Sequence, residues 1–151
     1  MIGVISDTHG LLRPAAAEAL AGSSLIIHAG DIGAPEVILG LERIARVYAV
    51  RGNVDTEPWA RRLPERRTVR IGGRRLLVVH DAKQLAPGTA VGNWDAVISG
   101  HSHVPSATVL DGVLYLNPGS AGPRRFHLPV TVALVEPRDG TLHPRIIELA
   151  V

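Results

Sequence analysis

The chain contains no cysteine. Disulfides, thiolate metal sites and cysteine nucleophiles are therefore excluded, leaving carboxylate, amide and imidazole as the strong ligands and bases. Aromatic residues make up only 3% of the sequence, too few for a platform on which nucleic-acid bases stack. Lysine is almost missing: Lys83 stands alone, and the rest of the basic charge is arginine. No apolar run approaches the length that spans a bilayer. No basic segment followed by a long apolar stretch marks a secretory signal. These absences predict a soluble, cytoplasmic protein with no membrane partner.

What is present fits a single domain over residues 1–151, since 46% hydrophobic and 20% charged residues can build one stable core. The pI is near 9.7, but the formal net charge is only +2. Arg61, Arg62, Arg66, Arg67, Arg70, Arg74 and Arg75 cluster in the sequence without aromatics between them. A solvated arginine face is the reading favoured here over a nucleic-acid surface.

Along the chain, strands at 1–5, 25–28 and 47–50 alternate with helical patterns at 14–21 and 35–45, each opened by a proline in its first turn. This order predicts a parallel sheet layered with helices. The second half changes to hairpins at 68–80 (across Gly72-Gly73), 106–117 (around Asp111-Gly112) and 131–149 (around Arg138-Asp139-Gly140), with a further strand at 95–99. A short irregular or weakly helical stretch precedes that strand near 83–91. Two packed sheets with helices outside are expected.

The polar residues that follow the buried strands form a pattern. Strand ends run into Asp7-Thr8-His9, Gly30-Asp31, Gly52-Asn53-Val54-Asp55, His80-Asp81 and Gly100-His101-Ser102-His103. Each fragment alone reads as a turn, a helix cap or a strand-end histidine. Gly-His-x-His is the most specific of them. In layered α/β folds the functional crevice lies beyond the carboxyl ends of the strands, so convergence would gather Asp7, His9, Asp31, Asn53, His80, His101 and His103. Seven nitrogen and oxygen donors exceed what one tetrahedral metal with an open position needs, and suit two metals sharing a carboxylate. Without thiolate, the donor set suits manganese, iron, zinc, cobalt or nickel.

SDTHG, IIHAGD, RGNVD, GHSH and LNPGS, in that order, resemble the calcineurin-like metallophosphoesterase superfamily, and within it the small single-domain bacterial and archaeal phosphodiesterases. The resemblance runs from Asp7 to Ser120. It implies an α/β fold, a four-layered α/β/β/α sandwich of two mixed sheets flanked by helices. It also implies two divalent ions, with manganese the first expectation. One would be held by Asp7, His9, Asp31 and His103, the other by Asp31, Asn53, His80 and His101, so that Asp31 bridges. The implied reaction is hydrolysis of a small phosphodiester by a hydroxide bridging the metals, with Asp31, Asn53 and Asp55 as the catalytic positions. Arg13, Arg124 and Arg125 are candidates for binding the substrate phosphate. The same fold also implies two alternatives, an interaction scaffold like the retromer vacuolar sorting subunit and, ranked lower, a nuclease. Small members of this branch are often homo-oligomers.

Two positions depart from the family pattern. Many relatives carry a histidine after the Gly-Asn asparagine, where this chain has Val54, although the small branch commonly shows the Gly-Asn-x-Asp form. That puts acid assistance to the leaving group in doubt. His80 is followed by Asp81, where relatives usually have glycine, so the turn or the charge beside the second metal is expected to differ. His28 reads as a buried residue behind the ligands, and His127 and His143 as structural or exposed.

Overall fold

The computed structural model describes residues 1–151 as two five-stranded sheets packed face to face. Strand β1 (Ile2–Ile5) is followed by α1 (Pro14–Ala19), β2 (Leu25–His28), α2 (Pro35–Glu42) and β3 (Arg46–Ala49). The short helix α3 (Pro58–Arg61) then leads to β4 (Arg66–Ile71) and β5 (Arg74–Val79). A single 3-10 turn (Ala82–Gln84) precedes β6 (Ala96–Ile98), β7 (Ser106–Leu110), β8 (Val113–Asn117), β9 (Thr131–Arg138) and β10 (Thr141–Glu148).

The first sheet has the order β10-β9-β1-β2-β3, with β1, β2 and β3 parallel and β9 and β10 antiparallel to their neighbours. The second has the order β4-β5-β6-β8-β7, in which β5, β6 and β8 are parallel and the hairpin partners β4 and β7 form the edges. Ile2, Val4 and Ile5 read as a continuous apolar run because β1 is covered on both faces. Ile2 and Val4 join Ile27, Leu76, Val78, Ile98 and Leu116 between the sheets. Ile5 points the other way, into a cluster with Leu20, Ile26, Val37 and Leu41 beneath the helices.

All three α-helices begin with proline at the first or second position, where its missing N–H is no loss. Helices α1 and α2 end sooner than the apolar periodicity predicts, at Ala19 and Glu42. All three contribute residues to the cluster on the outer face of the first sheet. The outer face of the second sheet has no α-helix. Leu77, Val79 and Val97 are covered there by the 3-10 turn and the loop after it, through Leu85, Ala90 and Trp94. The fourth layer of the sandwich is thus reduced to one turn and a packed loop. No helix is long and apolar enough to cross a membrane.

Candidate metal centre

The carboxyl ends of β1, β2 and β3 and those of β5 and β6 meet at one edge of the sandwich. Beyond the last paired residues of β1 and β2, their loops continue to bond: Asp7 N–H donates to Gly30 O, His9 N–H to Asp31 O and Gly10 N–H to Ile32 O, at 3.0, 3.0 and 2.7 Å. The second sheet closes onto them through His80, whose Nδ1 lies 2.7 Å from Ala29 O. Since a carbonyl can only accept, Nδ1 carries a proton, and Nε2 is the nitrogen that faces the site, donating to Asp31 while the ring is protonated and offering a lone pair once it is neutral. His101 N–H donates to Asp7 Oδ2 at 3.1 Å, tying the β6 loop to the β1 loop.

Asp7, His9 and His103 form one group whose ligand atoms all lie within 4.8 Å of one another, and Asp31, His80 and His101 form a second. The groups touch: His9 Nε2 is 3.8 Å from Asp31 Oδ2, and His80 Nε2 is 3.9 Å from Asp7 Oδ1. Within them, His80 Nε2 approaches Asp31 Oδ2 at 3.2 Å and His103 Nε2 approaches Asp7 Oδ1 at 3.4 Å. Asn53 is exposed on a cavity of about 230 Å³ that His80, His101, Arg51, Glu65 and Asp81 also line.

Five of these side chains sit on backbone in the left-handed region: φ is 54° at Asp7, 46° at His9, 55° at Asp31, 71° at His101 and 64° at His103. Non-glycine residues enter that region at a cost, and such positions cluster where function over-determines the backbone. The neighbouring glycines remove bulk at the points of closest approach. A Cβ on Gly52 would overlap Asp31 Oδ1, and one on Gly100 would overlap Ser6 Oγ and lie 2.6 Å from Asp7 Oδ2.

These residues fit a metal. Asp7 is fully buried, yet its Oδ1 has no hydrogen-bond partner, and neither has His9 Nε2, an atom out of solvent contact. A buried carboxylate oxygen left unpaired is costly unless a cation completes it. Oxygen and imidazole donors without thiolate suit the divalent first-row metals named above.

The charge states of Asp31 and His80 are both shifted by this packing. Burial alone would raise the Asp31 carboxyl, but the hydrogen bonds from His80 and from Val54 N–H, with the charges of His80 and His9, hold it below its ordinary range. Burial likewise opposes charge on His80, and its bonds to Asp31 and Ala29 outweigh that and raise it.

Asp55, a candidate catalytic residue, is 4% exposed, and its carboxylate accepts from Ile32, Gly33 and Gly52 N–H at 3.0, 3.0 and 2.8 Å. It fastens the loop after β2 to the loop after β3 and so fixes Asp31 and Asn53. His28 is fully buried: its Nδ1 accepts from Gly30 N–H, and its Nε2–H donates to Thr8 Oγ1, whose own proton goes to Ile32 O. Burial, first of all, pushes its pKa down to about 3. Arg13 donates to Gly122 O at 3.3 Å, while Arg124 and Arg125 are exposed. Of these two, Arg125 lies near enough to His103 for its charge, after burial, to disfavour the imidazolium.

Ser6, Asn117 and Ser120 also hold the site, although their residue types and spacing do not announce it. Ser6 Oγ donates to Asp7 Oδ2, Ser120 Oγ to Asp7 O, and Asn117 Nδ2 to Gly100 O, at 2.7, 3.0 and 2.9 Å. The only signal was their place inside the SDTH and NPGS motifs. Within the arginine cluster, Arg67 lies over the ring of Tyr48, which Arg46 from outside the cluster also covers, Arg75 lies over Trp94, and Arg74 pairs with Asp95.

The sandwich, the strand-end cluster and its two carboxylates together define a metallophosphoesterase-like fold and site. Residues 1–140 match the calcineurin-like phosphoesterase superfamily domain. A probable metallophosphoesterase of Methanothermobacter thermautotrophicus is 35% identical over 147 residues, covering 89% of this chain and 84% of the relative. A phosphodiesterase of Methanocaldococcus jannaschii is 31% identical, covering 78% and 82%. Among solved structures, a novel archaeal phosphodiesterase superposes with a TM-score of 0.80 at 26% identity, over 97% of this chain and 99% of that one. Vacuolar Protein Sorting 29 from Cryptosporidium parvum shares the fold, with a TM-score of 0.71 at 22% identity over 99% and 97%. The chain belongs to the calcineurin-like phosphoesterase superfamily.

Proposed function

We propose that this phosphoesterase is a phosphodiesterase that hydrolyses small phosphodiesters at a two-metal centre. The observation that carries the reading is the meeting of two separate three-ligand groups, Asp7-His9-His103 and Asp31-His80-His101, with the Asp31 carboxylate facing His9 of the other group at 3.8 Å. Asp31 is the shared ligand, and Asn53 completes the second group from the cavity wall. The donor set favours manganese, with iron, nickel, cobalt and zinc as the alternatives. When bound, the two ions supply a water that is nucleophilic near neutral pH and neutralise charge accumulating on the phosphoryl oxygens.

The chain's own part is charge and orientation. Asp7 and Asp31 provide the buried negative charge, and Ala29 O holds the His80 lone pair toward the centre. Of Arg13, Arg124 and Arg125, Arg125 is the one whose charge acts on His103, and it is assigned here to meet a substrate anion. Proton delivery to a leaving group is the weak point: Val54 has no proton to give, and both Asp55 oxygens are engaged by backbone amides. Positioned general acids contribute typically about 10²–10⁴-fold, so substrates with stable leaving groups are favoured.

A panel of chromogenic aryl diesters, cyclic nucleotides and simple alkyl monoesters, assayed with manganese, tests this. Activated or cyclic diesters should turn over well above alkyl monoesters, and comparable rates would contradict the reading. The likeness to Vacuolar Protein Sorting 29 supports a scaffold as the second reading. Retention of ligand-competent residues at all seven positions favours catalysis, whereas metal binding without turnover on any ester would favour the scaffold.

A further inference from the structure

Asp81 stands directly after the ligand His80 and begins the 3-10 turn that covers the second sheet. Its two oxygens face different ways. Oδ1 accepts Lys83 N–H at 3.0 Å and so caps the turn, which fixes the side chain. Oδ2 is left facing His101 Nε2 at 3.8 Å. On the opposite edge of that ring, His101 Nδ1 lies 3.3 Å from His80 Nε2, inside the second ligand group.

The two histidines therefore use opposite nitrogens. His80 sends Nδ1–H outward to Ala29 O and turns Nε2 inward. His101 turns Nδ1 inward and presents Nε2 to the Asp81 carboxylate. His80 is buried and its ring is held by its surroundings, but the His101 side chain is 47% exposed. Its backbone is tied by His101 N–H to Asp7 Oδ2, which does not set the ring. Asp81 is the one carboxylate that reaches the outer edge of that ring.

We propose that Asp81 is a positioning residue for His101, holding its ring as the Nε2–H tautomer with the Nδ1 lone pair directed at the second metal position. The inference rests on the two-metal reading above and adds a residue to it. A carboxylate behind a ligating histidine fixes tautomer and orientation and raises the basicity of the ligating nitrogen, and losing such a partner typically costs about 10–100-fold in metal affinity. At 3.8 Å the two groups are an ion-pair distance apart and not hydrogen-bonded in this structure, so the proposal requires the pair to close when the ring is engaged.

Three chains separate this role from helix capping and from charge. Asp81→Ser keeps a side-chain cap, since serine caps about as well as aspartate, but cannot reach His101. Asp81→Asn keeps both the cap and an acceptor for Nε2–H, without the charge. In calorimetric titration of the metal-free proteins with Mn²⁺, the wild type should take up two ions. Asp81→Ser should weaken one of the two sites roughly 10–100-fold and spare the other, with Asp81→Asn in between. Unchanged affinity at both sites in Asp81→Ser, or equal losses in the two variants, would overturn the proposal.

A second readout needs no metal. In ¹⁵N spectra of the metal-free protein at a pH where the imidazoles are neutral, His101 has two competing acceptors, Asp81 Oδ2 facing Nε2 and His80 Nε2 facing Nδ1, so the Nε2–H tautomer should be more populated in the wild type than in Asp81→Ser. Identical tautomer populations would also overturn the proposal. Failure of the wild type to bind a second ion would contradict the two-metal reading itself, and the tautomer would still decide the Asp81–His101 pairing.

Discussion

His28 carries no charge in the folded protein and shows how much of this site is built to hold loops in place. Its ring is enclosed, with one nitrogen accepting from Gly30 N–H and the other donating to Thr8, the residues flanking the turns that present Asp31 and His9. With its pKa lowered to about 3 from 6.5, the folded state refuses a proton that the unfolded state accepts between those values. The stability this neutral ring provides is complete above about pH 6.5 and is lost as pH falls toward 3, by up to roughly 1.4 kcal/mol per pH unit. Glutamine at this position offers an acceptor and a donor but does not titrate. Urea unfolding of metal-free wild type and His28→Gln should therefore show the wild type losing stability faster between pH 6.5 and 4.5, narrowing or reversing the gap. Parallel profiles would contradict the assignment.

Loops, rather than strands or helices, decide the geometry at the next scale. Gly52 faces Asp31 across the gap between the loops after β2 and β3, and a Cβ there would overlap Asp31 Oδ1 and Asp31 N. Gly52→Ala should keep its secondary structure, because its backbone needs no left-handed φ, and lose activity by about 100-fold or more through misplaced Asp31. Gly22→Ala, where the added methyl meets nothing within 4 Å, is the control and should leave turnover unchanged. Equal activity in the two, read as kcat/KM on one diester with circular dichroism alongside, would show that the site tolerates a shift of Asp31.

The same scale explains what the sequence could and could not reveal. The strands were legible because Ile, Val and Leu runs at 1–5, 25–28 and 74–79 are buried on both faces and end in turn residues. Helix ends were overextended, since Leu20 and Ile44 keep the apolar period while no longer helical. The four-residue helix α3 is too short for any period to register. The reduced fourth layer was signalled only by weak helical character near 83–91. Candidate ligands were legible as types and spacings. The locks were not: Asp55 on three amides, Asn117 on Gly100 and Ser120 on Asp7 depend on which loops abut after folding.

For the whole molecule, two sheets contribute unequal shares to one edge. The first sheet supplies Asp7, His9, Asp31 and Asn53, and the second brings His80, His101 and His103 against them, with His80 bonded across to Ala29. Neither sheet holds a complete candidate ligand group, so metal binding at the proposed centre should report on their packing, and metal should raise the unfolding temperature as any ligand of the native state does. The most direct test of the central claim is metal content measured together with hydrolysis of a chromogenic phosphodiester, for wild type and Asp31→Asn. Two equivalents of divalent metal per chain and turnover that a chelator abolishes and manganese restores are predicted for the wild type, with both lost in the variant. Near-normal metal content and rate in Asp31→Asn would contradict a centre built around that shared carboxylate.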